Sequence, residues 1–229
     1  MTTDLAQPAR PATAEGFAAR LRAGTAEVHA EAEQAAFVRE LMGGQGSLAD
    51  HAALLRQLWF VYAELEGLAP QAAAADPRLV AFLDPRLART ACIDADLDHL
   101  LGAAAGLDAV PGAATSAYLV RLREVASSWP TGLLAHHYVR YLGDLSGGQV
   151  ISAMLRRHYA APPEALSFYD FGAVGDVVPY KRRYRELLDT APFTDDERDA
   201  LVRESVHAYR LNRFLFDELG AARASRAAR

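Results

Sequence analysis

The stretch HHYVRYLGDLSGGQVI, from His136 to Ile151, decides the reading of the whole chain. Helix-favouring residues stand on both sides of Gly143, Gly147 and Gly148. Each glycine inside a helix costs about 0.5–1 kcal/mol relative to alanine, so the cluster needs a reason. One reading is a loop between two shorter helices, or close helix–helix packing. Another is a flat ligand lying against the helix backbone, because Gly143 and Gly147 are four apart and share a face. A phosphate loop fits poorly, since no strand precedes the glycines and no Lys-Ser/Thr follows.

Helical patterns surround this segment. Upstream, Leu21, Thr25, Val28, Ala32 and Ala36 form a stripe at spacings of three and four, predicting a helix over 16–42. Ser47, with Asp50 three residues on, resembles a capping box and opens a second helix to about Leu68. A short turn over 76–83 and helices over 86–105 and 113–129 follow. Thr131 can cap a long segment, 132–160, that Pro162 and Pro163 break. Residues 165–178 are irregular, and 179–189 is helical. Thr194 with Glu197 is a capping box for the last helix, which Gly220 stops. No segment alternates apolar and polar residues for long. The expectation is an all-α, single-domain, multi-helical fold over 16–220, with a disordered lead over 1–15 and a flexible tail over 221–229.

Composition narrows the function classes. The 229 residues are 51% hydrophobic and 23% charged, as in globular domains. The formal charge of −5 weighs against a general nucleic-acid binder. Cys92 is the only cysteine, which excludes an internal disulfide and a cysteine-rich metal site. No apolar stretch is long enough for a membrane span, and the N-terminus lacks a signal-peptide core, so a cytoplasmic protein without a membrane anchor is expected.

RYLGDLSGGQ, Arg140 to Gln149, resembles the signature of haem oxygenases, the enzymes that open haem to biliverdin. Further blocks are similar to the same family and stand in its order: Leu21 to Glu33, Trp59 to Glu66, Phe168 to Phe171, Tyr180 to Arg185 and Arg210 to Leu219. The resemblance implies haem b, as both substrate and prosthetic group, between a proximal helix and a glycine-kinked distal helix. It implies O2 as co-substrate, and an external electron donor: ferredoxin, flavodoxin or a reductase. The implied products are biliverdin, carbon monoxide and ferrous iron.

Site residues follow position by position. His29 matches the family's proximal iron ligand, a role that needs a neutral imidazole facing an apolar pocket. Arg22 lies two turns earlier on the same face, roughly 10 Å away, within reach of a propionate. Glu33, four residues on, can contact the other ring nitrogen. Asp144 matches an aspartate that holds water near the iron-bound oxygen, with Tyr62, Arg140 and Asn212 completing that network. Lys181 and Arg185, four apart, together with Tyr138, match a propionate clamp that in α-specific members directs cleavage to biliverdin IXα. Arg182 and Arg183 suit an acidic donor.

Other chemistries compete. His51, His99, His136, His137, His158 and His207 are alternative ligands. Glu204-x-x-His207 is half of a di-iron motif, with Asp96-x-x-His99 an imperfect second half. A thiaminase-type hydrolase needs a catalytic cysteine, for which only Cys92 is available. A haem carrier or sensor on the same fold is the remaining alternative.

Overall fold

A computed structural model describes residues 16–102 and 109–228. The expected lead over 1–15 lies outside them. Among the described residues the fold is all-α, with no strand.

Helix α1 (Phe17–Glu33) buries Leu21, Thr25, Val28 and Ala32, the predicted stripe, and lies along the last helix, α9 (Asp195–Ala227). The stripe ends one position early. Ala35 takes an extended backbone and α2 (Ala36–Met42) starts a new direction. Ala36 is exposed, while the bend turns Phe37 and Leu41 into the core. The expected single helix over 16–42 is therefore two.

Helix α3 (Leu48–Ala75) begins at the predicted Ser47 cap, whose side chain accepts the Asp50 N–H. It outruns the expected end near Leu68 and passes through Pro70. A proline inside a helix costs about 3 kcal/mol. Pro70 sits on the exposed side and Ala72 beyond it is fully buried, so packing of the last turn outweighs the lost bond. Helix α4 (Thr90–Leu101) starts later than expected. Glu66 of α3 accepts the backbone N–H of Arg89 at 2.6 Å and of Thr90 at 3.3 Å, an end-cap supplied from a distant turn. Helix α5 (Ala113–Ser128) follows.

The quoted stretch forms one rod with two windings. Helix α6 (Leu133–His137) passes into a π turn over Tyr138–Leu142, and α7 (Gly143–Tyr159) continues from it. A π turn inserts an extra residue into the helix and often marks a functional position. Three short 3-10 turns lie between α7 and α8 (Val177–Thr190).

The capping box at Thr194 and Glu197 is present at the start of α9. Gly220 does not stop that helix. A Cβ there would meet Phe37 at 3.7 Å, an ordinary contact, so the helix passes through this position without strain. The last turns are held by Arg223, which pairs with Glu40 and Asp50, and by Arg226, 2.8 Å from Asp50. No helix among the described residues is long and apolar enough to cross a membrane.

Candidate functional site

A cleft of about 530 Å³ opens between α1, α7 and α9, within the size range of small-molecule sites. His29, Glu33, Arg140, Gly143, Asp144, Gly147 and Asn212 line it, drawn from four separate segments. No other histidine lines it.

The imidazole of His29 stands edge-on to Tyr209, with ring centroids 5.4 Å apart. Its Nδ1 is 3.7 Å from Glu33 Oε2, too far for a direct hydrogen bond. Both side chains remain substantially exposed at the cleft. The imidazole is thus presented from α1 with no direct hydrogen bond to either nitrogen among the described residues.

The opposite wall is α7. A Cβ added to Gly143 or Gly147 would meet nothing within 4 Å, so bare backbone faces the open cleft at both. At Gly148 a Cβ would stand 3.3 Å from Tyr169. Two glycines therefore serve the cleft and the third serves packing.

Behind that wall lies a buried polar cluster. Tyr62, fully buried on α3, donates its hydroxyl to Asp144 Oδ2 and accepts from Arg140 Nε at 3.2 Å. Arg140 Nη1 donates to Asn212 Oδ1 at 2.8 Å, and Nη2 stands 3.5 Å from Asp144 Oδ1. The π turn carries Arg140 and delivers Asp144 to the start of α7. Burial raises the Asp144 carboxyl above its ordinary range; the Arg140 charge and the Tyr62 hydroxyl pull it back. Burial works against the Arg140 cation, but Tyr62 and Asp144 keep it firmly charged. A carboxyl so placed can hold and exchange a proton at the cleft wall.

The expected clamp residues stand outside the cleft lining. The Tyr138 hydroxyl stands near Thr25, with the charges of Arg185 and Arg22 close enough to act on it. Lys181 Nζ is 3.4 Å from Ser146 Oγ, and Ser146 does line the cleft. Four predicted side chains thus gather along α1, the π turn and α8, beside the site rather than in it.

The competing chemistries find no support here. Glu204 is spent on Arg121, at 2.5 Å, and on His136, at 2.9 Å, while His207 is exposed. Asp96 accepts the backbone N–H groups of Ser167 and Phe168. Among the described residues no three His, Cys, Asp or Glu side chains gather as a metal site. Cys92 is not in the cleft, and burial pushes its thiol up, away from the reactive thiolate.

Sequence reasoning missed Tyr209, Ser146 and the roofing side chains Phe168 and Tyr169 as lining residues. Tyr209 was accessible to it, standing three before Asn212 on the same helical face. An imidazole on one wall, bare backbone on the other and cations beside the rim suit a flat, anionic iron macrocycle.

Comparison with known proteins agrees. The family model "Heme oxygenase" matches residues 15–218. The "Heme oxygenase" of Guillardia theta is 32% identical over 205 residues, covering 89% of this chain and 86% of that protein. The solved structure of heme oxygenase-1 from the cyanobacterium Synechocystis, in complex with heme, aligns with a TM-score of 0.88 at 29% identity, over 93% of this chain and 96% of that one. The heme oxygenase of Leptospira interrogans aligns with a TM-score of 0.85 at 34% identity, over 89% of this chain and all of that one (100%).

Proposed function

The chain belongs to the haem oxygenase family, and on that premise we propose that it binds haem b in the cleft between His29 and Asp144 and opens it to biliverdin IXα, carbon monoxide and ferrous iron. The observation that carries this reading is the Tyr62–Asp144–Arg140–Asn212 cluster on the same cleft as a single histidine. When bound, haem supplies the iron at which O2 is reduced and the ring that is opened.

Each residue then has a physical task. His29 would hold the iron, and the Glu33 carboxylate, 3.7 Å from its Nδ1, biases the ring electrostatically. Gly143 and Gly147 leave room for the ring against α7. Asp144 positions water and passes protons toward the iron side of the cleft. Tyr62 and Arg140 fix its carboxyl, and Asn212 fixes Arg140. Arg22, Lys181, Arg185 and Tyr138 meet the propionates, which orients the ring for cleavage at the α edge. Electrons come from an external ferredoxin, flavodoxin or reductase, and Arg182 and Arg183 on α8 suit an acidic partner. A carrier has no use for an acid held by buried donors, which favours the enzyme over that reading.

The test is haem addition. The wild-type chain should give a stoichiometric Soret band that decays to biliverdin on adding reductant in air. His29→Ala should fold, yet lose the histidine-ligated signature in resonance Raman. A wild-type signature in His29→Ala would assign the ligand to another residue.

A further inference from the structure

Four rings run in contact from behind the cleft wall toward α8, and a fifth, Tyr180, stands one helical turn beyond the last of them. Tyr62 and Tyr141 have centroids 5.5 Å apart, Tyr141 and His137 4.4 Å, and His137 and Tyr184 5.8 Å in nearly parallel planes. Tyr180 precedes Tyr184 by one helical turn on α8, acts on it electrostatically and is partly exposed.

Every tyrosine in this run has its own base. Tyr62 donates to Asp144, Tyr141 to Glu66 at 3.2 Å, Tyr184 is 2.9 Å from His137 Nδ1, and Tyr180 donates to Asp84 at 3.1 Å. A buried phenol needs some partner in any case, but a backbone carbonyl suffices. Tyr159, away from the run, donates to the Leu41 carbonyl at 2.6 Å. A carbonyl cannot keep the proton, whereas a carboxylate or a neutral imidazole can. A phenol gives up an electron readily only when its proton leaves at the same moment, because the oxidised phenol is a strong acid. Closely spaced phenols and a base for each are the two conditions for moving oxidising equivalents by hopping.

We infer that Tyr62, Tyr141, Tyr184 and Tyr180, with the His137 ring bridging the middle pair, carry oxidising equivalents out of the cleft to the surface, so that hydrogen peroxide is discharged at Tyr180 instead of destroying the site. The inference rests on haem occupying the cleft, as proposed above. Hydrogen peroxide is the oxidant. Its O–O bond breaks, and with two electrons and two protons it becomes two waters. Two phenols each supply one electron and lose one proton to their bases, becoming tyrosyl radicals. Each inner radical is refilled by the next phenol outward, the electron crossing the His137 ring between Tyr184 and Tyr141. At Tyr180 a soluble thiol returns a hydrogen atom to each radical, and the two thiyl radicals join as a disulfide.

The experiment treats the haem-loaded chain with hydrogen peroxide and a nitroso spin trap, locates adducts by peptide mass spectrometry and follows the Soret band. Tyr184→Phe keeps a ring of nearly the same shape but cannot be oxidised as a phenol. The wild type should carry its adduct on Tyr180. Tyr184→Phe should lose that adduct, gain adducts on Tyr141 or Tyr62, and bleach faster. Tyr209, beside His29 and outside the run, is the internal control and should label equally in both. Unchanged Tyr180 labelling and bleaching in Tyr184→Phe would overturn the route. A chain that takes up no haem would overturn the proposed function and this inference together, whereas haem uptake without Tyr180 labelling in the wild type would overturn only the latter.

Discussion

Replacing Tyr62 by phenylalanine removes one hydroxyl that both charged members of the cluster use. Asp144 loses a donor and Arg140 Nε loses an acceptor, with little change of volume. A hydrogen bond to a charged group contributes about 1.5–3 kcal/mol. Arg140 keeps Asn212 and its approach to Asp144. The two lost bonds share one atom and are coupled, so the expected loss is near about 3 kcal/mol rather than twice that. The pH dependence follows from the Asp144 carboxyl. Its folded value lies above the ordinary 3.8, chiefly through burial, so the folded protein binds this proton more tightly than the unfolded chain. Such a group costs stability as pH rises from the unfolded value through the folded one. Tyr62 limits that cost by stabilising the carboxylate, and Tyr62→Phe must enlarge it. Urea unfolding of both forms from pH 4 upward is the assay. The deficit of the variant should be smallest in acid and grow toward neutral pH, and Asp144→Asn in the same background should flatten the growth. A deficit independent of pH would refute the coupling of Tyr62 to Asp144.

Three further outcomes are expected. Gly147→Leu should leave helical content intact, since glycine is the poorer helix former, while cutting haem affinity, because the new side chain enters the open cleft; calorimetric titration with haem measures it. Lys181→Ala with Arg185→Ala should weaken haem binding and yield a mixture of biliverdin isomers on chromatography, pure IXα meaning that cleft shape sets the orientation. Arg223→Ala should lower stability by about 1–3 kcal/mol in chemical denaturation, because Asp50 and Glu40 lose a shared partner, Asp50 being largely buried.

What was legible in the chain was whatever depends on near neighbours. The Thr194–Glu197 box, the Ser47 cap and the α1 stripe as far as Ala32 are local devices, and each stands where the spacing placed it. The glycine cluster was legible as an anomaly, but its division into two cleft positions and one packing position depends on Tyr169, which is distant in sequence. The late start of α4 rests on Glu66, the helix beyond Gly220 on Asp50 and Glu40, and the bend at Ala35 on burying Phe37 and Leu41. Glu66, Asp50 and Glu40 are distant in sequence from the ends they hold, and the core that receives Phe37 and Leu41 is built from other helices, so no periodicity reveals them. The matched residues His29, Asp144, Arg140 and Asn212 converge on one cleft and Tyr62 stands just behind it. The contact of Glu33 with His29 is longer than spacing alone suggested.

In the proposed reaction Asp144 delivers protons and is not needed to hold the ring. Single turnover of haem-loaded Asp144→Ala with ascorbate in air tests this most directly. Haem uptake should be close to that of the wild type, with no biliverdin in the extract. A biliverdin yield equal to the wild type's would contradict this role.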